Sequence, residues 1–399
     1  MKKLGLMIAL LAANAWAQAD GGADQSPVTP VTTITTTGSE PVAVPVGAPE
    51  VPQPIVDPNA PWYTRFTPYG YLKVGAFYNF PPLTDQTTNS NDGFRLAALR
   101  LGTTFRPMDR LTVVASIEAA APQQMPSAVP EGARIVQMRD AYAEYKVCSG
   151  FLVRAGQFKA PVWAETLLDD HMLPFVYRSA IADGYGAPDY NSARPGLALD
   201  RQVGLMVSSE WLGKQKVAEV RYAIAIVNGN GYDQFLNDNN HVAPVARVEA
   251  RLFEHITVGM NGFFNQVTTG TRPYRITDNQ LGYGGDISAN ALGFSVMVGY
   301  LGRQSSYSSG ALVNDSASGL LGQVHFGHEG TGLEGAVRLT IYDPSHADPT
   351  DDITEISAML GWRMKSAPLR VLVQYTHREE AQGVSVPNDG LDAMLQVTW

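Results

Sequence analysis

The sequence predicts an all-β fold, a transmembrane antiparallel β-barrel of sixteen strands that follows a disordered Pro/Thr-rich N-terminal segment. Three observations predict it. From residue 69 onward, apolar and polar residues alternate with a period of two in short segments, which places successive side chains on opposite faces of a sheet. The connections between these segments alternate between short and long. No run of roughly 18 apolar residues follows residue 20, so a spanning helix is not expected.

The alternation is clearest in the last segment, Leu391–Trp399, where the odd-numbered positions are apolar and the even-numbered ones mostly polar. A strand that ends on aromatic Trp399 resembles the C-terminal recognition signal of bacterial outer-membrane barrels. Sixteen strands are predicted, at residues 69–80, 94–105, 111–119, 135–146, 151–158, 201–210, 217–227, 244–254, 256–266, 281–289, 291–300, 318–327, 332–342, 353–363, 369–377 and 390–399.

The connections indicate how the barrel is oriented. Outer-membrane barrels have short periplasmic turns and long extracellular loops, and an even number of strands returns the chain to the side on which it began. Short connections are predicted at 106–110, 147–150 and 364–368. Long ones are predicted at 81–93, 121–134, 159–200, 228–243 and 301–317.

The composition excludes several other classes of protein. The chain has 399 residues, 45% hydrophobic and 17% charged, with a net charge of −9 and a mean hydropathy of −0.10. Its single cysteine cannot form an internal disulfide. Mean hydropathy near zero fits a barrel, because only alternate residues of each strand face lipid. A soluble β-sandwich or propeller is the alternative, but propeller blades recur about every 40–50 residues and no such repeat is present.

The first residues predict export. Lys2 and Lys3 precede the apolar stretch Leu4–Leu11, and Ala15–Ala17 forms a small-x-small cleavage pattern. We therefore expect residues 1–17 to be a signal peptide that is cleaved after export. The alternative is a short membrane anchor, but the apolar stretch is too short and no cationic stop-transfer sequence follows it. Together with the barrel pattern, this predicts the outer membrane of a Gram-negative cell.

Residues 18–61 are predicted to be a disordered periplasmic linker. They contain nine of the 26 prolines and the threonine-rich stretch 28–37, and proline at this density favours extended chain without ladder hydrogen bonds. Two interpretations remain open: a flexible spacer, or a tether to the cell wall or a partner. The barrel itself is assigned to residues 62–399.

The polar face of the predicted strands is charged. Nine basic and eight acidic residues occupy the parity opposite to the large apolar side chains. A charge facing lipid near the midplane costs several kcal/mol, so these side chains are expected in the lumen. A sixteen-stranded barrel is wide enough for an aqueous channel. The wall residues predicted to line it are Lys73, Arg100, Asp140, Glu144, Arg154, Arg247, Glu249 and Arg251.

Segment 159–200 is too long for an ordinary connection and is rich in Asp, Gly, Pro and aromatic residues. In wide barrels such a loop often folds inward and narrows the channel, so we expect it to form a constriction; an ordinary surface loop is the alternative. Opposed charges in a narrow neck would orient polar solutes. The residues predicted to do so are Lys159, Asp169, Asp170, Arg178, Arg194 and Arg201.

Three motifs carry a family resemblance. Arg139–Tyr145 (RDAYAEY), Val153–Pro161 (VRAGQFKAP) and Asp200–Gly204 (DRQVG) resemble the phosphate-selective porin O/P family, in which an R-x-A-Y-x-E-Y strand and a G-Q-F-K-x-P strand end precede a long third loop. The resemblance is local to about residues 135–205. It implies a trimeric, anion-preferring porin with Arg154 and Lys159 at or beside the constriction.

The charge balance departs from that family. Its phosphate-selective members have many lumenal Arg and Lys residues, whereas this chain has eight lysines, two of them in the signal segment. Segment 62–399 holds 27 of the 29 basic and 33 of the 38 acidic residues, a net charge of −6. An acidic or balanced pore favours cations or neither sign, so phosphate selectivity is not carried over from the resemblance.

The other motifs do not predict chemistry. His325 and His328 lack the spacing of a zinc protease. Asp169-Asp170-His171 contains residues that can bind a metal, but the sequence offers no definite further partner to complete such a site. No nucleophile elbow and no nucleic-acid-binding patch is present, so we expect no enzyme activity, cofactor or metal.

The predicted function is an outer-membrane porin for passive diffusion of small hydrophilic solutes or ions, including anions such as phosphate if the resemblance extends to the solute. Its expected partners are outer-membrane lipids, lipopolysaccharide and two further copies in a homotrimer. The alternatives are a structural or binding barrel plugged by segment 159–200, and a barrel enzyme.

Overall fold

The structure, a computed structural model, describes most of the predicted barrel. The predicted signal peptide 1–17 and all of the predicted linker except Pro61 lie outside the described residues, which are 61–80, 92–120, 135–185, 194–229, 237, 239–269, 275–308, 313–380 and 389–399.

Sixteen long strands form one sheet, and each is antiparallel to its neighbours. Their bounds are β1 Phe66–Phe80, β2 Gly93–Met108, β3 Leu111–Ala120, β4 Ile135–Cys148, β5 Phe151–Lys159, β6 Arg201–Ser208, β7 Ala218–Val227, β8 Ala243–Leu252, β9 Ile256–Thr269, β10 Ile276–Ala291, β11 Phe294–Tyr307, β12 Asp315–His328, β13 Leu333–Asp343, β14 Ile353–Arg363, β15 Leu369–Glu380 and β16 Asp389–Thr398.

The sheet closes on itself. Strand β1 pairs with β16 from Tyr71 opposite Thr398 to Phe80 opposite Asp389, and it also pairs with β2. Each intervening strand pairs with the next one in the chain, so neither side of the sheet ends on an unpaired edge. Lipid would penalise such an edge, because it offers no hydrogen-bonding partner. The prediction of a closed sixteen-stranded antiparallel barrel is confirmed.

Smaller elements lie at the ends of the strands. A 3-10 helix, Trp62–Arg65, precedes β1, and the short strand Leu212–Lys214 continues the pairing of β6 with β7. Two single-turn helices, α1 Ala164–Leu167 and α2 Ala180–Asp183, lie between β5 and β6. None of the described helices is long and apolar enough to cross a membrane.

The connections alternate in length, as predicted. Residues 109–110, 149–150 and 292–293 make tight turns at one end of the barrel, whereas 160–200, 228–242 and 344–352 connect strands at the other. In barrels of this type the tight turns face the periplasm. We call their end the turn end and the opposite one the loop end.

Strand β10 begins earlier than predicted, at Ile276 rather than at residue 281. Its first residues pair with the end of β9, down to Thr269 opposite Ile276. Asp278 and Gln280 alternate there with Thr277 and Asn279, so both faces are polar. The hydrogen-bond ladder therefore continues where the apolar pattern has already stopped, and the pattern marks only the lipid-facing part of the strand.

The burial pattern is inverted relative to a soluble protein. Outward-facing Ile224, Val248 and Ile287 are each more than half exposed, whereas inward-facing Arg247 and Asp286 are almost completely buried. An apolar exterior around a polar interior is the arrangement of a barrel that spans the outer membrane. The side chains that carry chemistry therefore face the lumen.

The exterior supports a stability prediction. Val248 lies in the middle of β8 and faces outward, so Val248→Arg should lower the free energy of unfolding in lipid vesicles by about 2–4 kcal/mol, measured by urea titration. Val248→Leu, which keeps an apolar group at the same place, should change it little. Equal stability of the two variants would contradict a lipid-facing position.

Candidate functional site

Between β5 and β6, the described residues 160–185 and 194–200 belong to a loop that lies inside the barrel; we call segment 160–200 the inward loop. It leaves β5 at Lys159 and returns to β6 at Arg201, which is paired with Lys159 in the adjacent strand. Trp163, Phe175 and Ile181 are no more than 1% exposed, so the loop is packed against the inner wall rather than extended into solvent.

Glycines of the wall make room for two of these side chains. A Cβ at Gly299 of β11 would lie 2.8 Å from the Trp163 ring, and one at Gly319 of β12 would collide with Ile181. Trp163 also has a positive φ of 63°, which is uncommon outside glycine, and its backbone N–H donates to Asn261 Oδ1 at 3.2 Å. Trp163 and Ile181 therefore anchor the inward loop on β9, β11 and β12.

Further around the barrel, polar side chains of β1, β13, β15 and β16 bind the backbone of the loop. Four donate to loop carbonyl oxygens, and one accepts from a loop N–H. The pairs are Lys73 Nζ to Asp170 O (2.6 Å), Gln396 Nε2 to His171 O (2.9 Å), Arg370 Nη1 to Leu173 O (2.7 Å), Arg338 Nη1 to Tyr177 O (2.9 Å), and Val176 N to Gln374 Oε1 (2.8 Å). We call these five contacts the tethers.

An apolar cluster lies among the tethers. Phe175 and Val176 of the loop are buried with Phe77, Leu372 and Met394 of the wall. These wall residues belong to β1, β15 and β16, which are adjacent in the closed sheet. The loop therefore crosses the lumen and is held on two walls.

Ion pairs fill the space beside β1 and β2. Asp169 accepts from Lys159 Nζ at 3.1 Å and lies 3.6 Å from Arg100 Nη1. Asp170 pairs with Arg178 and lies 3.7 Å from Arg100 Nη2. Because Arg100 and Arg178 are buried, each must be paired with a carboxylate to avoid a large desolvation penalty. The two carboxylates thus tie the loop to Arg100 of β2, to Lys159 at the end of β5 and to Arg178 within the loop itself.

The same cations keep the loop carboxylates ionised. Burial raises the pKa of the Asp169 carboxyl, but Lys159 and Arg100 lower it by more, so this pKa lies well below its usual range. Burial likewise opposes the lowering of the pKa of Asp170, and Arg178 and Arg100 together outweigh it. Asp169 and Asp170 therefore stay ionised throughout the neutral pH range.

Arg201 joins the second end of the loop to the wall. Its Nε and Nη2 atoms lie 3.0 and 3.1 Å from the two oxygens of Asp140, which is the bidentate geometry of an arginine–carboxylate pair. Its Nη1 atom lies 3.3 Å from Asp200. Arg139 also reaches Asp200, at 3.5 Å. This end of the loop is therefore fixed by a network of charges.

Five further predicted residues pair along the wall, and one of them, Arg247, also donates to the Asn261 side chain that binds Trp163. Arg154 pairs with Glu144 at 2.6 Å, and Arg247 pairs with Glu249 at 3.0 Å. Arg251 pairs with Glu219 at 2.7 Å. The side chains of Arg154 and Arg251 keep about a quarter to a third of their surface exposed, so this part of the lumen remains open to solvent.

The predicted residues thus fall into two groups. Those brought together with the inward loop are Lys73, Arg100, Asp140, Lys159, Asp169, Asp170, Arg178 and Arg201, whereas Glu144, Arg154, Arg247, Glu249 and Arg251 pair on the wall. The backbone of Arg194 pairs with Tyr185, and its side chain lies outside the described residues.

Sequence reasoning missed Arg139, which is buried and faces the lumen. Strict alternation puts Arg139 and Asp140 on opposite faces. In the structure Ala115 pairs with Ala141 but Ile117 pairs with Met138, so both residues lie opposite one residue of β3. Such a β-bulge turns adjacent side chains toward the same face, and the sequence carries no clear sign of it.

The other missed contacts come from neutral or distant residues. Gln374 and Gln396 bind the loop across about 200 positions of sequence. An uncharged amide on a strand gives no signal of such a contact. Only the closed topology brings these residues next to the inward loop.

Two groups of carboxylates bear on metal ligation. Asp169 and Asp170 are paired with Lys159, Arg100 and Arg178, so these carboxylates are already neutralised by cations. Among the described residues, Asp343, Asp351 and Asp352 bring one carboxylate oxygen each within 4.8 Å of one another at the loop end. Exposed acidic groups often meet without an ion, and no metal function is assigned to them.

Comparison with solved structures identifies the fold. No protein-family model matches the sequence, and no curated protein matches it. DcaP, an outer membrane channel of Acinetobacter baumannii, has 13% identity and a TM-score of 0.56 over 84% of this chain and 97% of its own. OmpF of Salmonella typhi, in complex with daunomycin, has 12% identity and a TM-score of 0.56, with coverage of 84% and 97%. An anion-selective porin from Comamonas acidovorans has 10% identity and a TM-score of 0.54, with coverage of 84% and 99%.

At these identities the similarity shows a shared fold. The chain is therefore a sixteen-stranded barrel with the fold of outer-membrane porins. Its closed sheet and apolar exterior place it in the outer membrane.

The packing of Ile181 against Gly319 of the wall yields a prediction about the loop. Gly319→Leu should displace Ile181 and expose the inward loop, so trypsin should cleave after Arg178 much faster than in the unaltered protein. Gly322→Leu is the matched control, because a Cβ at Gly322 has no atom within 4 Å. Equal cleavage in both variants would contradict the packing of Ile181 against β12.

The ion pairs yield a prediction about acid. Because the pKa values of Asp169 and Asp170 are lowered, their contribution to stability is complete above the unfolded value of about 3.9 and is lost as pH falls through the folded values. The inward loop should therefore resist pepsin at pH 4 and be cut progressively faster as the pH is lowered to 1.5, with cleavage rates normalised to an unfolded peptide. Asp170→Asn should be cut already at pH 4. Rapid cleavage of the unaltered protein at pH 4 would contradict the lowered pKa values.

Proposed function

We propose that the protein is a porin, a water-filled channel for passive diffusion of small hydrophilic solutes or ions, narrowed by the inward loop. The observation that supports the proposal is the crossing of the lumen by this loop, which is held by tethers from β1, β13, β15 and β16 and by the packing of Trp163 and Ile181 on β11 and β12. A wall of paired charges, with exposed Arg154 and Arg251, would keep the remaining lumen hydrated.

For the solute, the charges favour a channel without strict anion selectivity. The resemblance to the phosphate-selective porin O/P family, and the fold shared with a porin named as anion-selective, argue for anions such as phosphate. Against this, the barrel segment has a net charge of −6, and Arg154, Arg247 and Arg251 of the lumenal wall are each paired with a carboxylate. We therefore propose small polar solutes of either sign.

The proposal includes the assembly and setting of the channel. One similar structure is a trimer form of OmpT, an outer membrane protein of Vibrio cholerae, which supports a homotrimer here. The exposed apolar exterior fits contact with outer-membrane lipids and lipopolysaccharide. Export through a cleaved signal peptide at 1–17, a periplasmic linker at 18–61 and the absence of enzyme activity belong to the same proposal.

A second candidate is a structural or binding barrel that the inward loop plugs. The observation that favours it is how completely the wall is covered: Arg100, Arg338 and Gln374 face the lumen but are at most 2% exposed. A wall covered in this way beside the loop leaves little surface for water along β2, β13 and β15.

One experiment separates these candidates. The folded protein in planar bilayers should give stepwise conductance, and replacing residues 162–198 with a short Gly-Ser linker should increase it several-fold. The short linker suffices because Lys159 and Arg201 are neighbours in adjacent strands. Shortening the connection 344–352, which lies at the loop end outside the inward loop, is the control and should leave conductance unchanged.

If neither form conducts, the channel proposal fails. If only the loop-deleted form conducts, the plugged barrel is the better account. A reversal potential measured in a salt gradient then gives the charge preference, which we expect to be weak.

A further inference from the structure

A cavity of about 340 Å³ lies in the lumen beneath the inward loop, at the turn end. Its roof consists of His171, Met172 and Pro174 of the loop, and its floor includes the turn at Pro368 between β14 and β15. Its volume is at the small end of the range for ligand pockets, about 300–1,000 Å³. The cavity is not part of the ion-pair network beside β1 and β2.

The cationic wall of the cavity is formed by two arginines that share one carboxylate. Arg363 Nε lies 2.9 Å from Glu334 Oε1, and Arg370 Nη2 lies 2.6 Å from Glu334 Oε2. His325 Nε2 lies 3.4 Å from the same carboxylate. Glu334 is only 7% exposed and is not among the residues that line the cavity, none of which is acidic. The cavity therefore faces two guanidinium groups with a single negative charge behind them.

Arg363 is the group available to a ligand. Its side chain is 54% exposed, and its described polar contact with the carboxylate uses Nε. Arg370 is almost buried and already donates through Nη1 to Leu173 O. The planar fork of an arginine binds a carboxylate through two parallel hydrogen bonds. An anion entering the cavity would therefore meet Arg363 first, with Arg370 adding to the positive potential.

Besides the two arginines, the lining has four polar residues, His171, His325, Gln396 and Thr398, and five apolar ones. Met172 and Pro174 come from the inward loop, and Ala367, Pro368 and Leu369 come from the turn. An inorganic anion would leave this surface unused. A flat organic body of about ten non-hydrogen atoms would fit within the cavity, cover this apolar surface and gain from burial.

We propose that this cavity binds a small organic carboxylate, with its carboxylate on Arg363 and its apolar body between Met172, Pro174 and Leu369. The site lies on the periplasmic side of the constriction and so gives the proposed channel, on which this inference rests, a preferred class of solute. It combines a local cationic site with a barrel whose overall charge is negative.

The probe for the test is 4-fluorobenzoate, and the protein is the full chain folded in detergent micelles. Binding is measured from broadening of the ¹⁹F NMR signal, with 4-fluorobenzamide as the neutral control of the same shape. We expect saturable broadening of the benzoate signal, none of the benzamide signal, and no competition by inorganic phosphate at equal concentration. Phosphate that competes equally would overturn the role of the apolar lining.

Arg363→Gln should weaken benzoate binding by about tenfold or more, because a charge-assisted pair is lost. Lys365→Gln removes a charge from the same turn without altering the cavity lining and should leave binding unchanged. Arg363→Lys, which keeps the charge but loses the planar fork, should give an intermediate loss. Heat-modifiable migration of each variant on a gel shows that it has folded.

Equal binding by the unaltered protein and folded Arg363→Gln would overturn the proposal, as would equal broadening of benzoate and benzamide. Because binding is measured without a membrane current, its result is separate from that of the channel proposal. A protein that conducts but does not bind benzoate contradicts only this site. One that binds but does not conduct contradicts only the channel.

Discussion

The closure of β1 on β16 is the constraint on which the rest of the structure depends. In lipid each backbone polar group needs a partner within the protein, and a closed ladder provides one for every strand. Closure also divides the side chains, since alternate residues must face lipid or the lumen. Val248 and Arg247 are neighbours in sequence, yet the first is half exposed and the second is buried in ion pairs. The charge content of the lumen follows from this division.

The inward loop uses the lumen that closure creates. Its contacts are of two kinds. Ion pairs fix its base beside Arg100 and Arg201, where charges are already buried. On the far walls it is held through its backbone by amides and cations, and through Trp163 in space left by Gly299. The path of the loop is therefore set by both partners, by wall side chains that bind its backbone and by loop side chains that pack or pair on the wall. The cavity beneath the loop exists because the loop crosses above the turn end rather than filling it.

Most of the fold could be predicted from the sequence, and less of the site could. Alternation marks a strand wherever one face meets lipid, which is why the number of strands was predictable although the beginning of β10 was not. The lumenal position of Asp140 followed from the same parity. Arg139 was missed because a bulge shifts the parity by one residue. The partners of the loop, such as Gln396 bound to His171 O, depend on which strands become neighbours in the closed barrel, and a single sequence does not contain that information.

The central claim is that the inward loop crosses the lumen to the wall formed by β15 and β16. Cross-linking tests it most directly, in a Cys148→Ser background that removes the one native thiol. His171→Cys and Gln396→Cys place two thiols on facing sides of the cavity, at residues joined by a 2.9 Å hydrogen bond. The account predicts that a short thiol cross-linker joins the two cysteines in folded protein in membranes. Separate modification of both cysteines without a link would contradict it.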